Sequence, residues 1–214
     1  MSRVIDAVLF DFGGVFTASP FRAFTHAGAE LGARPGQIES IMFGPYHEDT
    51  DHSWHRLERG EISLETAQAE IRAEGARQGL HFEPLEILFR LGGGDGGLRE
   101  VFVECVRTLR TEGYRTALVT NNVAEFSEHW RRMLPVAELF EIVVDSSEVG
   151  LRKPNPAIYH LALERLGGVA PERAVFLDDF EGNVDAAAAI GMHGIVVEDE
   201  PGSALEALDR LLAR

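Results

Sequence analysis

The sequence predicts a doubly wound α/β core, a parallel sheet covered by helices on both faces, interrupted by an inserted helical domain. Short apolar runs rich in β-branched residues recur along the chain, and amphipathic helical stretches separate the last four of them. The first run is set far apart from the second, with only helical patterning between. Strands buried on both faces lose the polar alternation of a half-exposed sheet, so unbroken apolar runs alternating with helices imply parallel pairing.

The first strand is read in "VIDAVLF", which ends at the carboxylate of Asp11 and is followed by Gly13 and Gly14. Next come the helical patterns "PFRAFTHAGAELG" (20–32), "PGQIESIMFG" (35–44), "SLETAQAEIRAEGARQG" (63–79) and "PLEILFRLG" (84–92). They predict a helical domain over 18–92, inserted into a core made of 1–17 and 93–214. The junction "GGGDGG" (92–97) formally fits G-x-G-x-x-G, but the segment before it is helical rather than a strand, so a flexible connector is the better reading than a dinucleotide loop. A helix is expected over 98–112. Strands then follow in "RTALVT" (115–120), "EIVVD" (141–145), "AVFLD" (174–178) and "HGIVVE" (193–198). The helices between them are "VAEFSEHWRRML", "PNPAIYHLALERLG" and "EGNVDAAAAIG", the last two ending at glycine as helices often do.

Composition excludes several classes. The chain has 214 residues, 45% hydrophobic and 26% charged, which suits one globular unit with an insertion rather than a disordered or fibrous chain. A formal net charge of -15 argues against nucleic acid or an anionic membrane as partner, since both are bound through basic surface. No apolar stretch is long enough to span a bilayer and no signal-peptide pattern is seen, so a cytoplasmic location is expected. The single cysteine, Cys105, falls on the apolar side of the 98–112 helix and reads as a structural thiol.

Sites in doubly wound sheets form at the carboxyl ends of the strands. Collected there are Asp11, then Thr120, Asn121 and Asn122, then Asp145, Ser146 and Ser147, then Asp178 and Asp179, with Lys153 nearby in "GLRKPNP". Singly, each has a plain structural reading as a helix cap or an exposed loop residue. Together, carboxylates crowded into one cleft need a cation, all-oxygen ligands favour Mg²⁺, and Mg²⁺ suggests phosphate. A carboxylate can attack phosphorus only when a metal and a lysine cancel the charge between them.

The ordered segments "LFDFGGVFT", "LVTNN", "GLRKPNPAIY" and "VFLDDFEGNVDAA" resemble the four motifs of the haloacid dehalogenase (HAD) superfamily, with a helical cap inserted after the first strand. The resemblance implies a Rossmann-like core and a Mg²⁺-dependent phosphatase acting on a small phosphorylated metabolite through an aspartyl phosphate. It assigns Asp11 as nucleophile and Lys153 as the group that steadies it. Thr120, Asn121 and the backbone at Gly14 would bind the phosphoryl group. Asp11, the main-chain carbonyl of Gly13, Asp179 and, directly or through water, Asp178 would hold the metal, and Asn183 would order the loop.

Gly13 departs from the pattern. Phosphatases of this family carry a second aspartate there, which protonates the leaving oxygen, and that side chain is absent. The sequence leaves three outcomes open: a substrate with a good leaving group, an acid supplied by the cap, or loss of catalysis. In the cap, His47, Glu48, Asp49, Asp51, His52 and His55 could contact substrate or form a transition-metal site, although solvated helix ends are the plainer reading. Trp54 and Leu57 read as cap core rather than ligand stackers. Arg152 could pair with a second anionic group on the substrate, the plainer reading being a surface ion pair. Dehalogenation by the same aspartate, without metal, and ligand binding without catalysis are the alternatives. The adjacent acids Asp178 and Asp179 count against the first, and the retained nucleophile, lysine and acids against the second. Oligomeric state is not legible.

Overall fold

A computed structural model describes residues 4–19, 31–92 and 97–212. Five strands, β1 (Ala7–Phe10), β2 (Arg115–Thr120), β3 (Ile142–Asp145), β4 (Ala174–Asp178) and β5 (His193–Val196), form one sheet in the order β3-β2-β1-β4-β5. Every pairing is parallel. The chain leaves β1 in one direction to build β2 and β3, then returns to the other side of β1 for β4 and β5. The resulting switch lies beside β1, where adjoining connections diverge and open a crevice at the carboxyl ends. The strands are somewhat shorter than the apolar runs suggest; β1 begins at Ala7 rather than Val4, which is exposed.

All four residues of β1 are fully buried, as expected of the central strand of a sheet covered on both faces. One apolar layer gathers Val8, Phe10, Phe16, Phe102, Leu118 and Leu177 with the helix α5 (Glu100–Thr111) and the C-terminal helix α11 (Gly202–Leu212). The other joins Leu9, Val119 and Phe176 to Ile158 and Tyr159 of α9 (Pro156–Arg165) and to Ala187 of α10 (Glu181–Ala189). Phe16 meets Phe140 edge-on at 5.8 Å, which pins the turn after β1 to the core. The backbone N–H of Arg99 donates to the Phe16 carbonyl at 2.8 Å, and the Arg99 side chain donates to the Gly14 carbonyl at 2.8 Å.

Between β1 and α5 lie α1 (Gln37–Phe43), α2 (Ser53–Glu58), α3 (Leu64–Arg77) and α4 (Pro84–Gly92). Their apolar faces meet in a cluster of their own, with Ile38, Met42, Trp54, Leu57, Ile71 and Ile87, joined by Val123 from the loop after β2. Ser63 caps α3 by accepting from the Thr66 N–H, and Asn155 caps α9 by accepting from the Ala157 N–H, with Pro156 in the first turn. The helix expected over 20–32 and the glycine-rich connector fall largely outside the described residues. The pattern at 123–134 divides into a short 3₁₀ turn, Ala124–Phe126, and α6 (Ser127–Met133), followed after Pro135 by α7 (Val136–Leu139). The one-turn helix α8 (Ser146–Val149) completes the set. Among the described residues, no helix is long and apolar enough to cross a membrane.

Candidate active site

Asp11 lies one residue beyond β1, its N–H paired to the Leu177 carbonyl at 2.8 Å, so that β4 fixes the direction in which its side chain leaves the sheet. Lys153, 1% exposed, sends its Nζ to Asp11 Oδ1 at 2.7 Å and to Asp178 Oδ2 at 2.6 Å. A lysine before proline is ordinarily solvated; here the two acids hold its charge. Burial alone would lower the Lys153 pKa, but Asp11 and Asp178 outweigh it and the group is held above its usual range.

Asn121 explains how Lys153 is aimed. Its side-chain Oδ1 accepts from the Lys153 N–H at 2.8 Å, and its Nδ2 donates to the Lys153 carbonyl at 2.9 Å. The side chain expected to bind phosphate is thus occupied in fixing the lysine backbone, while the residue still lines the cleft. Asn183 acts similarly on Asp178: its Nδ2 stands 3.1 Å from both carboxylate oxygens, its carbonyl accepts from the Tyr159 hydroxyl at 2.8 Å, and the Phe180 N–H donates to Asp178 Oδ1 at 2.8 Å.

One carboxylate oxygen from each of Asp11, Asp178 and Asp179 lies within 4.8 Å of the others. Burial, opposed by Lys153 and reinforced by Asp178 and Asp179, pushes the Asp11 pKa up to about 8. Burial and then Asp178 push Asp179 up to about 7. Lys153 alone cannot neutralise three clustered acids, and a buried oxygen of Asp179, Oδ2, has no hydrogen-bond partner among the described residues. An all-oxygen, electron-rich, under-neutralised donor set fits a hard divalent cation.

Gly14 has φ +70, and a Cβ built on it would stand 2.0 Å from Asp179 Cγ. Only glycine lets the turn pass beneath that carboxylate, so its place is under Asp179 rather than on the cleft wall. The cleft, about 130 Å³, is lined on the sheet side by Asp11, Gly13, Thr120, Asn121, Lys153 and Asp179. Facing them from the helical insertion are Phe43, Tyr46, Trp54, Glu58 and Leu88. Asp145 does not join the site: it caps α8, accepting from the Ser147 N–H at 3.0 Å. Ser146 donates to the Asn122 carbonyl at 3.3 Å and Ser147 to Asp145 at 2.7 Å, so both serve the loops.

Three sequence readings outside the carboxyl ends of the strands meet different outcomes. None of His47, Glu48, Asp49, Asp51, His52 and His55 lines the cleft, and the only metal-competent cluster among the described residues is the aspartate trio. His52 caps α2, its Nδ1 accepting from the Trp54 N–H at 3.2 Å, and buried His55 accepts from the Thr50 N–H at 3.0 Å. Trp54 packs edge-on to Phe43 at 5.0 Å as core, yet also lines the cleft. Arg152, expected in a surface pair, is fully buried: its Nε donates to Glu58 Oε2 at 2.7 Å and its Nη1 to the Glu48 carbonyl at 2.9 Å. Sequence reasoning missed Tyr46 and Glu58 because an ordinary glutamate at a helix end gives no sign of burial until its partner 94 residues away is known.

Comparison with known proteins agrees with this fold. The model of the haloacid dehalogenase-like hydrolases matches residues 5–191. The chain is 31% identical over 98% of its length to acyl-CoA dehydrogenase family member 10 of Mus musculus, of which it spans 19%. It is 28% identical to a phosphorylated carbohydrates phosphatase of Thermotoga maritima, covering 94% of this chain and 90% of that one. Among solved structures, a HAD-family enzyme of Bacteroides thetaiotaomicron in complex with magnesium and inorganic phosphate superposes with a TM-score of 0.60 at 21% identity, covering 92% of this chain and 96% of the other. A dehalogenase superposes with a TM-score of 0.64 at 18% identity over 100% of both chains, so the fold by itself does not separate the two chemistries. With the family model running from before β1 to beyond α10, the chain belongs to the haloacid dehalogenase-like hydrolases.

Proposed function

We propose that the chain is a Mg²⁺-dependent phosphatase that hydrolyses a small phosphorylated compound through an aspartyl phosphate on Asp11. The observation that carries this reading is the contact of Lys153 with both Asp11 and Asp178 beside a third acid, Asp179, which has no ion-pair partner among the described residues. Residues 18–92 serve as a cap over a core of 1–17 and 93–214, and the substrate sits between them. Phosphatases among the relatives support the reading, including a sesquiterpene phosphatase of Aspergillus oryzae that is 27% identical over 96% of both chains.

Asp11, Asp179 and the Gly13 carbonyl would hold Mg²⁺, with Asp178 direct or one water away; when bound, the ion supplies positive charge to the phosphoryl oxygens. Lys153 fixes Asp11 Oδ1, which leaves the other oxygen to attack phosphorus. The P–O bond to the leaving group breaks as the aspartyl P–O bond forms, the leaving oxygen takes its proton from water because position 13 carries no acid side chain, and the Thr120 hydroxyl donates to a phosphoryl oxygen. Water then attacks phosphorus and returns Asp11 as carboxylate with release of phosphate. The adjacent acids Asp178 and Asp179 disfavour dehalogenation, which requires no cation.

The test is Asp11→Asn. It should abolish release of phosphate from p-nitrophenyl phosphate while leaving the circular dichroism spectrum unchanged, and chelation of divalent ions should silence the wild type reversibly. Normal turnover by the variant refutes the covalent route; halide release from a haloacid without metal favours dehalogenation.

A further inference from the structure

The helical wall of the cleft restricts what can leave with the phosphate. Phe43, Trp54 and Leu88 present apolar surface, and the polar groups beside them are already paired with each other. The Tyr46 hydroxyl and the Trp54 indole N–H both donate to Glu58 Oε1 at 2.8 Å, and Arg152 donates to Glu58 Oε2 at 2.7 Å. Glu58 therefore has three of its roughly four acceptor sites filled. Arg152 does not line the cleft, and Lys153 is engaged by two acids. Arg152 Nη2 has no hydrogen-bond partner among the described residues, but Arg152 does not line the cleft, so among the described residues of this wall no cation faces a ligand.

A sugar arrives with several hydroxyls, and each that finds no partner loses its water uncompensated, at about 1–3 kcal/mol apiece; Asn183 Oδ1, a cleft-lining acceptor with no partner among the described residues, can serve one of them at most. A substrate with a second anionic group would meet the carboxylate of Glu58 with no cation among the described lining residues of this wall to receive it. An apolar group incurs neither cost.

Resting on the phosphatase reading above, we infer that the substrate is a phosphate ester of an apolar group, selected by Phe43, Trp54 and Leu88. Sugar phosphates and phosphorylated carboxylic acids are discriminated against by the internally satisfied Glu58 network.

The experiment compares kcat/KM with Mg²⁺ for benzyl phosphate, glucose 6-phosphate and phosphoglycolate, whose leaving groups are all primary alcohols. Benzyl phosphate should be favoured over each of the others at least tenfold. In Phe43→Ala, and separately in Leu88→Ala at a half-buried position, the ratio of 1-naphthylmethyl phosphate to benzyl phosphate should rise at least fivefold. Inhibition by inorganic phosphate should stay within twofold of wild type. Equal or better turnover of the sugar or the acid overturns this inference and leaves the phosphatase reading standing, as does a naphthylmethyl to benzyl ratio unmoved in both variants. Absence of Mg²⁺-dependent turnover of all three esters overturns both.

Discussion

Replacing Arg152 with methionine removes the cation that joins α2 of the insertion to the loop before α9. The side chains of Arg152 and Glu58 are 0% and 3% exposed, the Nε to Oε2 distance is 2.7 Å, and the guanidinium carbon sits 4.8 Å from the Tyr46 ring centre. Burial disfavours the charge on Arg152, and Glu58 and the tyrosine more than restore it. Water cannot replace the missing partner at such a site, so breaking the pair costs about 3–5 kcal/mol, several times the value of an exposed ion pair. For a chain of this size that corresponds to a fall of roughly 10 °C in Tm. Urea unfolding followed by tryptophan fluorescence measures it, with Glu58→Gln and the double variant completing a thermodynamic cycle. Each single change strands the other charge, whereas the double change strands none, so the double variant should recover at least half the loss of either single one. A loss below about 1 kcal/mol in Arg152→Met, the range of surface pairs, or simple additivity in the cycle, would show that the pair does not join the insertion to the core.

Three further outcomes follow from the site. Gly14→Ala forces a Cβ into the Asp179 carboxylate at φ +70; displacing that acid should weaken Mg²⁺ binding, read by calorimetry, by about 10- to 100-fold, the range for lost support of a metal ligand, and unchanged affinity would mean Asp179 is not a ligand. Lys153→Met leaves Asp11 and Asp178 unneutralised and should lower kcat by about 10²–10³, the loss typical of one electrostatic donor; a change confined to KM would place the lysine in ground-state binding only. Burial, together with Arg152 and His52, lowers the His55 pKa to about 3. The unfolded chain binds that proton near pH 6.5, so the folded state is favoured fully above about 6.5 and loses stability as pH falls toward 3. His55→Phe should flatten this acid limb of Tm against pH; an identical slope in the variant would show that other groups carry it.

The parts of the fold legible in the sequence were those set by local pattern. Five apolar runs became five parallel strands, and the acids at the ends of the first and fourth, Asp11 and Asp178–Asp179, converge because β1 and β4 are neighbours in register, Phe10 beside Leu177. Lys153 was legible only through its motif, since nothing in "GLRKPNP" indicates that Asn121 will hold its backbone at both polar groups.

What was not legible is the wall opposite the nucleophile, and the reason is physical. In "PYHEDTDHSWHRLE" the conspicuous residues are the histidines and acids, whose side chains cap helices, pair with neighbours or face solvent. The residues that reach the cleft are the inconspicuous ones between and beside them, Tyr46, Trp54 and Glu58. Density of polar residues in sequence measures how much of a segment is solvated, whereas burial of one carboxylate depends on donors brought from three places in the chain. Glu58 is buried only because Tyr46, Trp54 and Arg152 supply those donors together, and only one of the three lies within a helical turn of it. The same tertiary pairing that hides Glu58 from sequence reasoning takes Arg152 out of the cleft lining, so the side chain that composition would offer as an anion receptor instead leaves the described part of this wall without a cation for a ligand's second group.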